Sequence, residues 1–179
     1  MLRDYKREYN EMFTECVQFG FDNEENERRA EICRIGSRGN KVAPGVVLWV
    51  TDPDKIGKNI VFNFYTYVNG DVTIGDNVLI GPHTSIVAGN HKFDPATGWF
   101  SARTEKDGDD SIVIGEGSWL ASKVTVTGGV KIGKANLICA GAVVTKSTPD
   151  YAIMAGMPAK QIGRIDPVTG EYIWNERSK

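Results

Sequence analysis

The segment IGDNVLIGPHTSI, from Ile74 to Ile86, carries an isoleucine at every sixth position. Two runs of the chain keep this spacing with apolar residues: Ile56, Phe62, Val68, Ile74, Ile80 and Ile86, then Ile114, Leu120, Val126, Ile132, Ile138 and Val144. A period of six fits neither an amphipathic helix nor a half-buried strand. It is typical of a solenoid in which each short, flat strand supplies one inward side chain. Three strands per coil give a repeat of about 18 residues, so the sequence predicts stacked β-coils.

Small or aliphatic residues between these positions strengthen the prediction. A less strict set recurs in the same phase: Ile60, Val72, Val78, Thr84, Val124, Val130 and Ala142. Several inward residues are followed directly by a small residue, which fits a tight corner where a larger side chain would crowd the bend. These small residues are Gly57, Gly75, Gly81, Gly115, Ala121 and Gly133. We expect Ile56 to stack on Ile74, and Val68 on Ile86. An ordinary sandwich or barrel is the alternative, and two long runs in phase argue against it.

The ends of the chain and one internal stretch lack the repeat. An amphipathic helix is predicted over residues 1–20, and a second short helix from a capping box at Asp22 and Glu25 to about Cys33. The predicted boundaries are 1–36 for an N-terminal helical cap, 37–165 for the β-solenoid, 87–113 for a loop inserted in it, and 166–179 for a C-terminal tail. We also expect the chain to leave the coil after Thr148, and a short strand or helix in the tail.

The inserted loop contains three large aromatic residues, Phe93, Trp99 and Phe100. A loop that is only solvated seldom needs three such side chains. They indicate that the loop packs against a substrate or a neighbouring subunit.

Composition excludes several classes of function. The formal net charge of −2 gives no basic surface for nucleic acid or an anionic membrane. The longest apolar runs, such as Gly45 to Val50, are far shorter than the roughly 20 residues of a membrane span. The N-terminus is charged and lacks the apolar core of a signal peptide. Cys16, Cys33 and Cys139 have neither disulfide-framework nor metal-site spacing. We therefore expect a cytoplasmic protein with free thiols.

The two histidines have different positions relative to the repeat. His83 lies in the turn IGPHTS, where we expect a solvent-facing corner residue. His91 follows Gly89 and Asn90, where the repeat first fails. An imidazole titrates close to neutral pH and can take a proton from a hydroxyl or amine that attacks a thioester. From position alone, His91 is either such a general base or a loop histidine bonded to a carbonyl.

Other catalytic arrangements are not indicated. No Ser-His-Asp or Cys-His pairing is apparent, and Cys139 lies among apolar residues, which is typical of a packed and inert thiol. The glycines of TGGVKIGK belong to the repeat and lack the spacing of a P-loop. A zinc site of three histidines would need one more than the chain has. Direct transfer without an acyl-enzyme and without a metal is therefore the favoured chemistry.

Several motifs together carry a family resemblance. IGDNVLIGPHTSI, NHKFDP from Asn90 to Pro95, and VVTK followed by AGMPAK at residues 155–160 resemble the hexapeptide-repeat acyltransferases, and within them the maltose/galactoside O-acetyltransferase branch. The resemblance covers roughly residues 56–165. It implies an all-β, left-handed parallel β-helix and acetyl-CoA as co-substrate. It also implies that His91 is the general base, because the family's catalytic histidine occupies this place in its motif.

The resemblance further implies a set of ligand-binding residues. Those that match the family's coenzyme A groove are Ser122, Ala140, Thr145, Lys146 and Lys160. Small side chains leave room for a thin pantetheine arm, and lysines can pair with its phosphates; ordinary solvated surface is the alternative for the two lysines. A backbone amide near Ser122 would stabilise the tetrahedral oxyanion. Asn63, and less strongly Asn69, match acceptor-binding positions.

The same family implies a homotrimer with each active site shared between two chains. The sequence thus predicts an acetyl-CoA-dependent acetyltransferase acting on a hydroxyl or amine of a sugar or sugar-like acceptor. An antibiotic-modifying acetyltransferase for streptogramins or phenicols is one alternative, because GNHKFD is similar to the histidine loop of that branch. A non-catalytic β-helix scaffold is another, although a scaffold would not need an aromatic loop with a histidine at the break in the repeat.

Overall fold

A computed structural model describes residues 25–36, 38–104 and 110–176. The predicted helix over residues 1–20 and the residue Asp22 of the predicted capping box lie outside these ranges. The second predicted helix is present as α1 (Glu25–Ile32). The strands are β1 (Lys41–Val42), β2 (Val47–Val50), β3 (Val61–Phe62), β4 (Tyr67–Gly70), β5 (Val72–Ile74), β6 (Leu79–Ile80), β7 (Ser85–Val87), β8 (His91–Asp94), β9 (Trp99–Thr104), β10 (Ile112–Ile114), β11 (Trp119–Leu120), β12 (Thr125–Val126), β13 (Lys131–Ile132), β14 (Leu137–Ile138), β15 (Val143–Val144), β16 (Ala152–Ala155), β17 (Lys160–Ile165) and β18 (Tyr172–Trp174). A short 3-10 helix spans Pro53–Lys55.

The strands form the three faces of a left-handed parallel β-helix. Face A contains β1, β3, β6, β11, β14 and β16; face B contains β2, β4, β7, β12 and β15; face C contains β5, β10 and β13. Each strand pairs in parallel with the strand one coil away, as Val61 does with Leu79, a step of 18 residues. The predicted fold is therefore confirmed.

The predicted inward residues form one continuous core. All twelve residues of the two hexad runs are at most 2% exposed, and the less strict set is buried with them, including Thr84. Ile56 pairs with Ile74 and Val68 with Ile86, as expected. Burial of each large aliphatic side chain stabilises the fold by about 1.5–3 kcal/mol. Because every coil is too short to bury these residues alone, the stacking of coils supplies the stability.

The chain runs from face A to face B, then to face C, and back to face A, so the prism has three edges, which we call A/B, B/C and C/A. At the A/B edge one residue per coil has a positive φ: Gly45, Tyr65, His83, Lys123 and Gly141. The C/A edge has the equivalent positions Asn59, Asn77, Gly117, Ala135 and Tyr151. A tight turn with a left-handed residue therefore closes each of these corners.

The inserted loop leaves the prism at the B/C edge. Its described part is an antiparallel hairpin of β8 and β9, in which His91 is opposite Thr104 and Phe93 opposite Phe100. The rings of Phe93 and Phe100 meet edge to face at a centroid distance of 5.6 Å. Both side chains, like that of Trp99, are at least half exposed.

The C-terminal part differs from the prediction. The expectation that the chain leaves the coil after Thr148 is wrong, because β16 still pairs in parallel with β14, with Ile153 beside Leu137. The residues Ala152, Ile153 and Met154 are buried and continue the core, which keeps this strand on face A. The strands β17 and β18 then extend face A in antiparallel fashion.

In the described ranges, no helix has both the length and the apolar character needed to cross a bilayer.

Candidate active site

His91 is the first residue of β8, where the chain leaves the B/C edge. Its side chain is exposed. The base of the hairpin is tied together, because the Asn90 side-chain amide donates to Asp110 Oδ1 at 3.4 Å. The Gly129 N–H donates to the Asp110 carbonyl at 3.0 Å, which fastens this base to the next coil. An added Cβ on Gly128 would lie 3.2 Å from the Gly89 nitrogen. The site of His91 is thus held close to the prism although the imidazole itself is accessible.

Ser122 and Ala140 occupy equivalent positions on the A/B edge, one coil apart. The Gly141 N–H donates to the Ser122 carbonyl at 2.9 Å, and the Lys123 N–H donates to the Pro82 carbonyl at 2.9 Å. These bonds hold the turns of successive coils in register. At this edge the small side chains of Ser122 and Ala140 lie at the surface.

The backbone N–H groups along this edge are not equivalent. Phe64 and Pro82 occupy the same turn position as Ser122 and Ala140 in two earlier coils. The Phe64 N–H donates to Asn63 Oδ1 at 2.9 Å, and Pro82 has no N–H. Among the residues that the structure describes, the N–H groups of Ser122 and Ala140 donate to no acceptor. Because both residues lie at the surface, these two donors are available to a bound molecule.

The remaining residues of the predicted coenzyme A groove are divided between two edges. Thr145 and Lys146 directly follow β15 and lie at the B/C edge, which also carries His91. Lys160 begins β17 opposite Ala155, and the Ala159 N–H donates to the Val143 carbonyl at 2.8 Å. This turn continues the A/B edge beyond Ala140, so Lys160 is on the side of Ser122 and Ala140.

The two predicted acceptor residues are not neighbours. Asn63 lies at the A/B edge, and its side-chain oxygen is already used by the N–H of Phe64. Asn69 lies on β4 of face B, where its side-chain amide donates to the Tyr67 hydroxyl at 3.1 Å. The Asn69 carbonyl accepts the N–H of Ala88 at 2.9 Å, which puts Asn69 one coil from the hairpin base. One candidate is therefore at the A/B edge, and the other is on face B close to the B/C edge.

Face B separates the candidate residues of the A/B edge from those at the B/C edge. Its outward side chains are Val47, Trp49, Tyr67, Asn69, Ser85, Val87, Thr125 and Val143, and none of them is charged. The ion pairs of the described residues lie elsewhere; those between Lys58 and Asp76 and between Lys134 and Glu116, for example, are at the C/A edge. Face B is thus a neutral surface between two edges that carry candidate ligand-binding residues.

A feature that the sequence analysis did not recognise lies on the A/B edge. The His83 imidazole stacks on the Tyr65 ring, with centroids 5.2 Å apart and an interplanar angle of 17°. The expectation that His83 is a solvent-facing corner residue is confirmed, since its side chain is exposed. Its partner could have been found by counting one coil of the repeat back to Tyr65.

Two further groups bear on the chemistry. Burial raises the pKa of the Cys139 thiol, so the neutral thiol prevails at neutral pH and this residue is a poor nucleophile. Within the described residues, no cluster of three or more His, Cys, Asp or Glu side chains could hold a metal ion.

Comparisons with known proteins find acetyltransferases among the relatives of this chain. No protein-family model matches the chain. The galactoside O-acetyltransferase of Escherichia coli K12 is 33% identical over 126 residues, which are 68% of this chain and 59% of that protein. Serine acetyltransferase 4 of Arabidopsis thaliana is 34% identical over 112 residues, or 63% of this chain and 28% of that protein. The chain therefore spans less than two thirds of the length of these curated relatives.

The fold has solved counterparts as well. The crystal structure of a maltose O-acetyltransferase from Clostridium difficile 630 superimposes with a TM-score of 0.59 and 24% identity, and the match covers 87% of this chain and 86% of that one. The similarity in sequence to named acetyltransferases, the hexad core and the parallel β-helix all lead to the same assignment. The chain belongs to the hexapeptide-repeat acetyltransferase family.

Proposed function

We propose that the protein transfers an acetyl group from acetyl-CoA to a hydroxyl, or an amine, of a sugar or sugar-like acceptor. The name of the E. coli relative, a galactoside O-acetyltransferase, supports both the reaction and the acceptor class. The single observation that carries the proposal is the contrast between two edges of the prism. One edge has an accessible imidazole at His91, and the other has two unused backbone N–H donors at Ser122 and Ala140.

His91 is the general base. Its imidazole accepts the proton of the acceptor hydroxyl as the hydroxyl oxygen attacks the thioester carbonyl carbon, a role that contributes about 10²–10⁴-fold to the rate. The Ser122 N–H donates to the oxyanion of the tetrahedral intermediate. When the carbon–sulfur bond breaks, the thiolate of coenzyme A takes the proton from the His91 imidazolium. The products are an acetyl ester and coenzyme A, and the imidazole is regenerated.

The groove for acetyl-CoA includes residues of both edges. Small residues at 122 and 140 leave space for the pantetheine arm, and the Ala140 N–H is a second donor for its amide carbonyls. The amines of Lys146 and Lys160 act as charge partners of the phosphates. The hydroxyl of Thr145 lies beside Lys146 at the same edge.

Each site is formed between two chains of a homotrimer. In one chain His91 and Ser122 lie on different edges with face B between them, so one chain does not bring them together. Three prisms that turn their uncharged B faces toward a three-fold axis form a closed assembly. The A/B edge of each chain then lies beside the B/C edge of its neighbour, and the aromatic residues of the hairpin lose solvent exposure there.

The function is tested by measuring coenzyme A release from acetyl-CoA with a panel of acceptors. The panel contains galactosides, maltose, nucleotide sugars, L-serine, and streptogramin and phenicol antibiotics. We expect the highest kcat/KM with a sugar, together with an acetyl ester or amide in the product. Preference for an antibiotic would mean that the acceptor is an antibiotic and not a sugar. The absence of transfer to any acceptor would favour a non-catalytic scaffold.

A further inference from the structure

The two ends of face A differ in how the last strand is covered. The sheet ends at β1 on one side and at β18 on the other. Beyond β1 lies α1, from which Arg29 Nε donates to the Val42 carbonyl, and Ala30 of the same helix is fully buried. Among the described residues, no strand lies beyond β18. An uncovered edge strand is a template for pairing with another chain, so this end of face A can accept a further strand.

The hydrogen bonds of β18 leave one set of its backbone groups facing away from β17. The two residues that flank the strand both bond toward β17, because the Glu171 carbonyl accepts a hydrogen bond at 2.8 Å and the Asn175 N–H donates one at 2.9 Å. Hydrogen-bonded positions alternate along an antiparallel pair, so Ile173, midway between them, also bonds to β17. The N–H and carbonyl groups of Tyr172 and Trp174 therefore point off the end of face A.

The side chains of β18 are large, mostly apolar and open to solvent. Tyr172 is 51% exposed, Ile173 is 38% exposed and Trp174 is 45% exposed. The rings of Tyr172 and Trp174 lie on the same side of the strand and meet edge to face at a centroid distance of 6.2 Å. Edge strands are usually protected from pairing by a charge, a proline or a bulge. The strand β18 has none of these.

The strand is complementary to itself across a two-fold axis. When Ile173 of two chains lie opposite each other, the Tyr172 of each chain lies opposite the Trp174 of the other. The outward N–H and carbonyl groups then form four hydrogen bonds, two for each Tyr172–Trp174 pair. The four aromatic rings come together on one side of the sheet, where cross-strand aromatic pairs stabilise the contact.

The charges around β18 favour the same register. It places Glu171 opposite Asn175 and Glu176 opposite Gly170, so each acidic residue of one chain meets an uncharged residue of the other. A slip of two residues in one direction puts a strand residue opposite the turn at Gly170, whose φ is 74°. A slip in the other direction puts Tyr172 opposite Glu176. Only the first register pairs every residue of β18 with a residue of β18.

We propose that β18 of one chain pairs in antiparallel fashion with β18 of a second copy, so that face A continues from one β-helix into the next. This interaction goes beyond the proposed function and does not depend on acetyl transfer. In a homotrimer the three β18 strands lie at the same end, and three such contacts join two trimers into a closed assembly of six chains. Each contact is short, but the three strengthen one another because they form within one assembly.

The test is sedimentation equilibrium of the full chain over a range of concentrations. The wild type should rise from about three times the chain mass of 19.7 kDa at low concentration to about six times at high concentration. Tyr172→Pro removes one outward N–H, and proline is tolerated where the N–H of an edge strand faces solvent. This variant should keep the lower mass at the highest concentration. Tyr172→Val retains the N–H and should double in mass like the wild type.

A charge at the centre of the contact gives a second variant with a matched control. Ile173→Glu places two carboxylates directly opposite each other across the two-fold axis, which is destabilising, while Arg164 lies opposite this position within the same chain. We expect this variant to keep the lower mass. Ile32→Glu makes the same substitution on α1, where Ile32 is 71% exposed, and it should double in mass like the wild type.

Amide hydrogen exchange of the wild type decides the question even where a variant fails to fold. In the doubled species the N–H groups of Tyr172 and Trp174 should exchange more slowly than at low concentration, whereas that of Ile173 should not change. A wild type whose mass does not double would overturn the pairing and would leave this edge for a strand of another protein. Equal separation of Tyr172→Pro and Tyr172→Val would also overturn it, since side chains and not strand pairing would then form the contact.

Discussion

The A/B and B/C edges of the prism differ in what each can contribute to a reaction. The B/C edge carries an accessible imidazole at His91 and the residues Thr145 and Lys146, but its turns are irregular and one is replaced by the hairpin. The A/B edge is regular over its whole length and offers the unused N–H groups of Ser122 and Ala140. In the proposed reaction, one edge supplies proton transfer and the other supplies a template for a long, thin ligand.

Under the proposed function, neither edge is sufficient by itself. Face B, with its two columns of uncharged side chains, lies between the edges in a single chain. A second chain whose B/C edge meets the A/B edge of the first brings the two contributions together.

Removal of the base should affect turnover and not coenzyme A affinity. For His91→Ala we expect kcat to fall by about 10²–10⁴-fold, because the imidazole acts on the acceptor proton. The dissociation constant of coenzyme A, measured by calorimetry, should change little. His83→Ala is the matched histidine control, and its kcat should be reduced far less than that of His91→Ala. Activity of His91→Ala within a few-fold of wild type would show that the B/C edge does not supply the base.

A charge on face B should break the assembly. In Thr125→Lys, three like charges would approach each other around the three-fold axis, and each would lose water. We expect sedimentation equilibrium to shift from three times the chain mass of 19.7 kDa toward the mass of one chain. The activity should decline in parallel. Thr73→Lys on face C is the control and should remain assembled, and equal behaviour of the two variants would argue against face B as the contact.

Loss of the lysines should weaken acetyl-CoA binding from both edges. Lys146→Ala and Lys160→Ala should each raise the KM for acetyl-CoA, and the double variant by about tenfold or more, with a smaller change in kcat. The reason is that contacts with phosphates far from the thioester contribute equally to the ground state and the transition state. Lys134→Ala, at the C/A edge, is a matched control. A wild-type KM in the double variant would mean that the groove lies elsewhere.

The smallest effect is expected at the thiol. Because burial raises the pKa of Cys139, its neutral form persists at neutral pH and the thiol is a poor nucleophile. We expect Cys139→Ser to keep kcat/KM within about twofold of wild type. Alkylation of Cys139 by iodoacetamide should be slow at neutral pH and should accelerate as the pH rises toward the raised pKa. An acetylated Cys139 in a quenched reaction would contradict direct transfer.

Much of this molecule could be predicted because the fold is periodic. The hexad residues from Ile56 to Val144 are all buried, since the same inward position recurs on every strand. The position of each edge residue follows from the same count. The division of the groove candidates between Ser122 on one edge and Lys146 on another was therefore present in the sequence, although the resemblance alone gives them as one set.

Other features required the structure. The hydrogen bond from Phe64 to Asn63, which uses the side-chain oxygen of a predicted acceptor residue, depends on a local turn geometry that the repeat does not specify. The Tyr65–His83 stack depends on ring orientation as well as on register. The continuation of the coil through β16 was missed because its step from Leu137 to Ile153 is two residues shorter than the regular step. Periodic reasoning thus succeeded where the coils are regular and failed where they are not.

Subunit complementation tests the shared site most directly. His91→Ala damages only the B/C edge, and Ala140→Trp, which fills the groove, damages only the A/B edge. When the two inactive variants are unfolded, mixed equally and reassembled, about a quarter of the sites in randomly formed closed trimers receive two intact edges. We predict that a comparable fraction of wild-type activity returns. Mixing His91→Ala with Thr145→Trp, which damages the same edge, should restore nothing. Failure of the first mixture in verified mixed trimers, or a fully active monomer, would contradict the account.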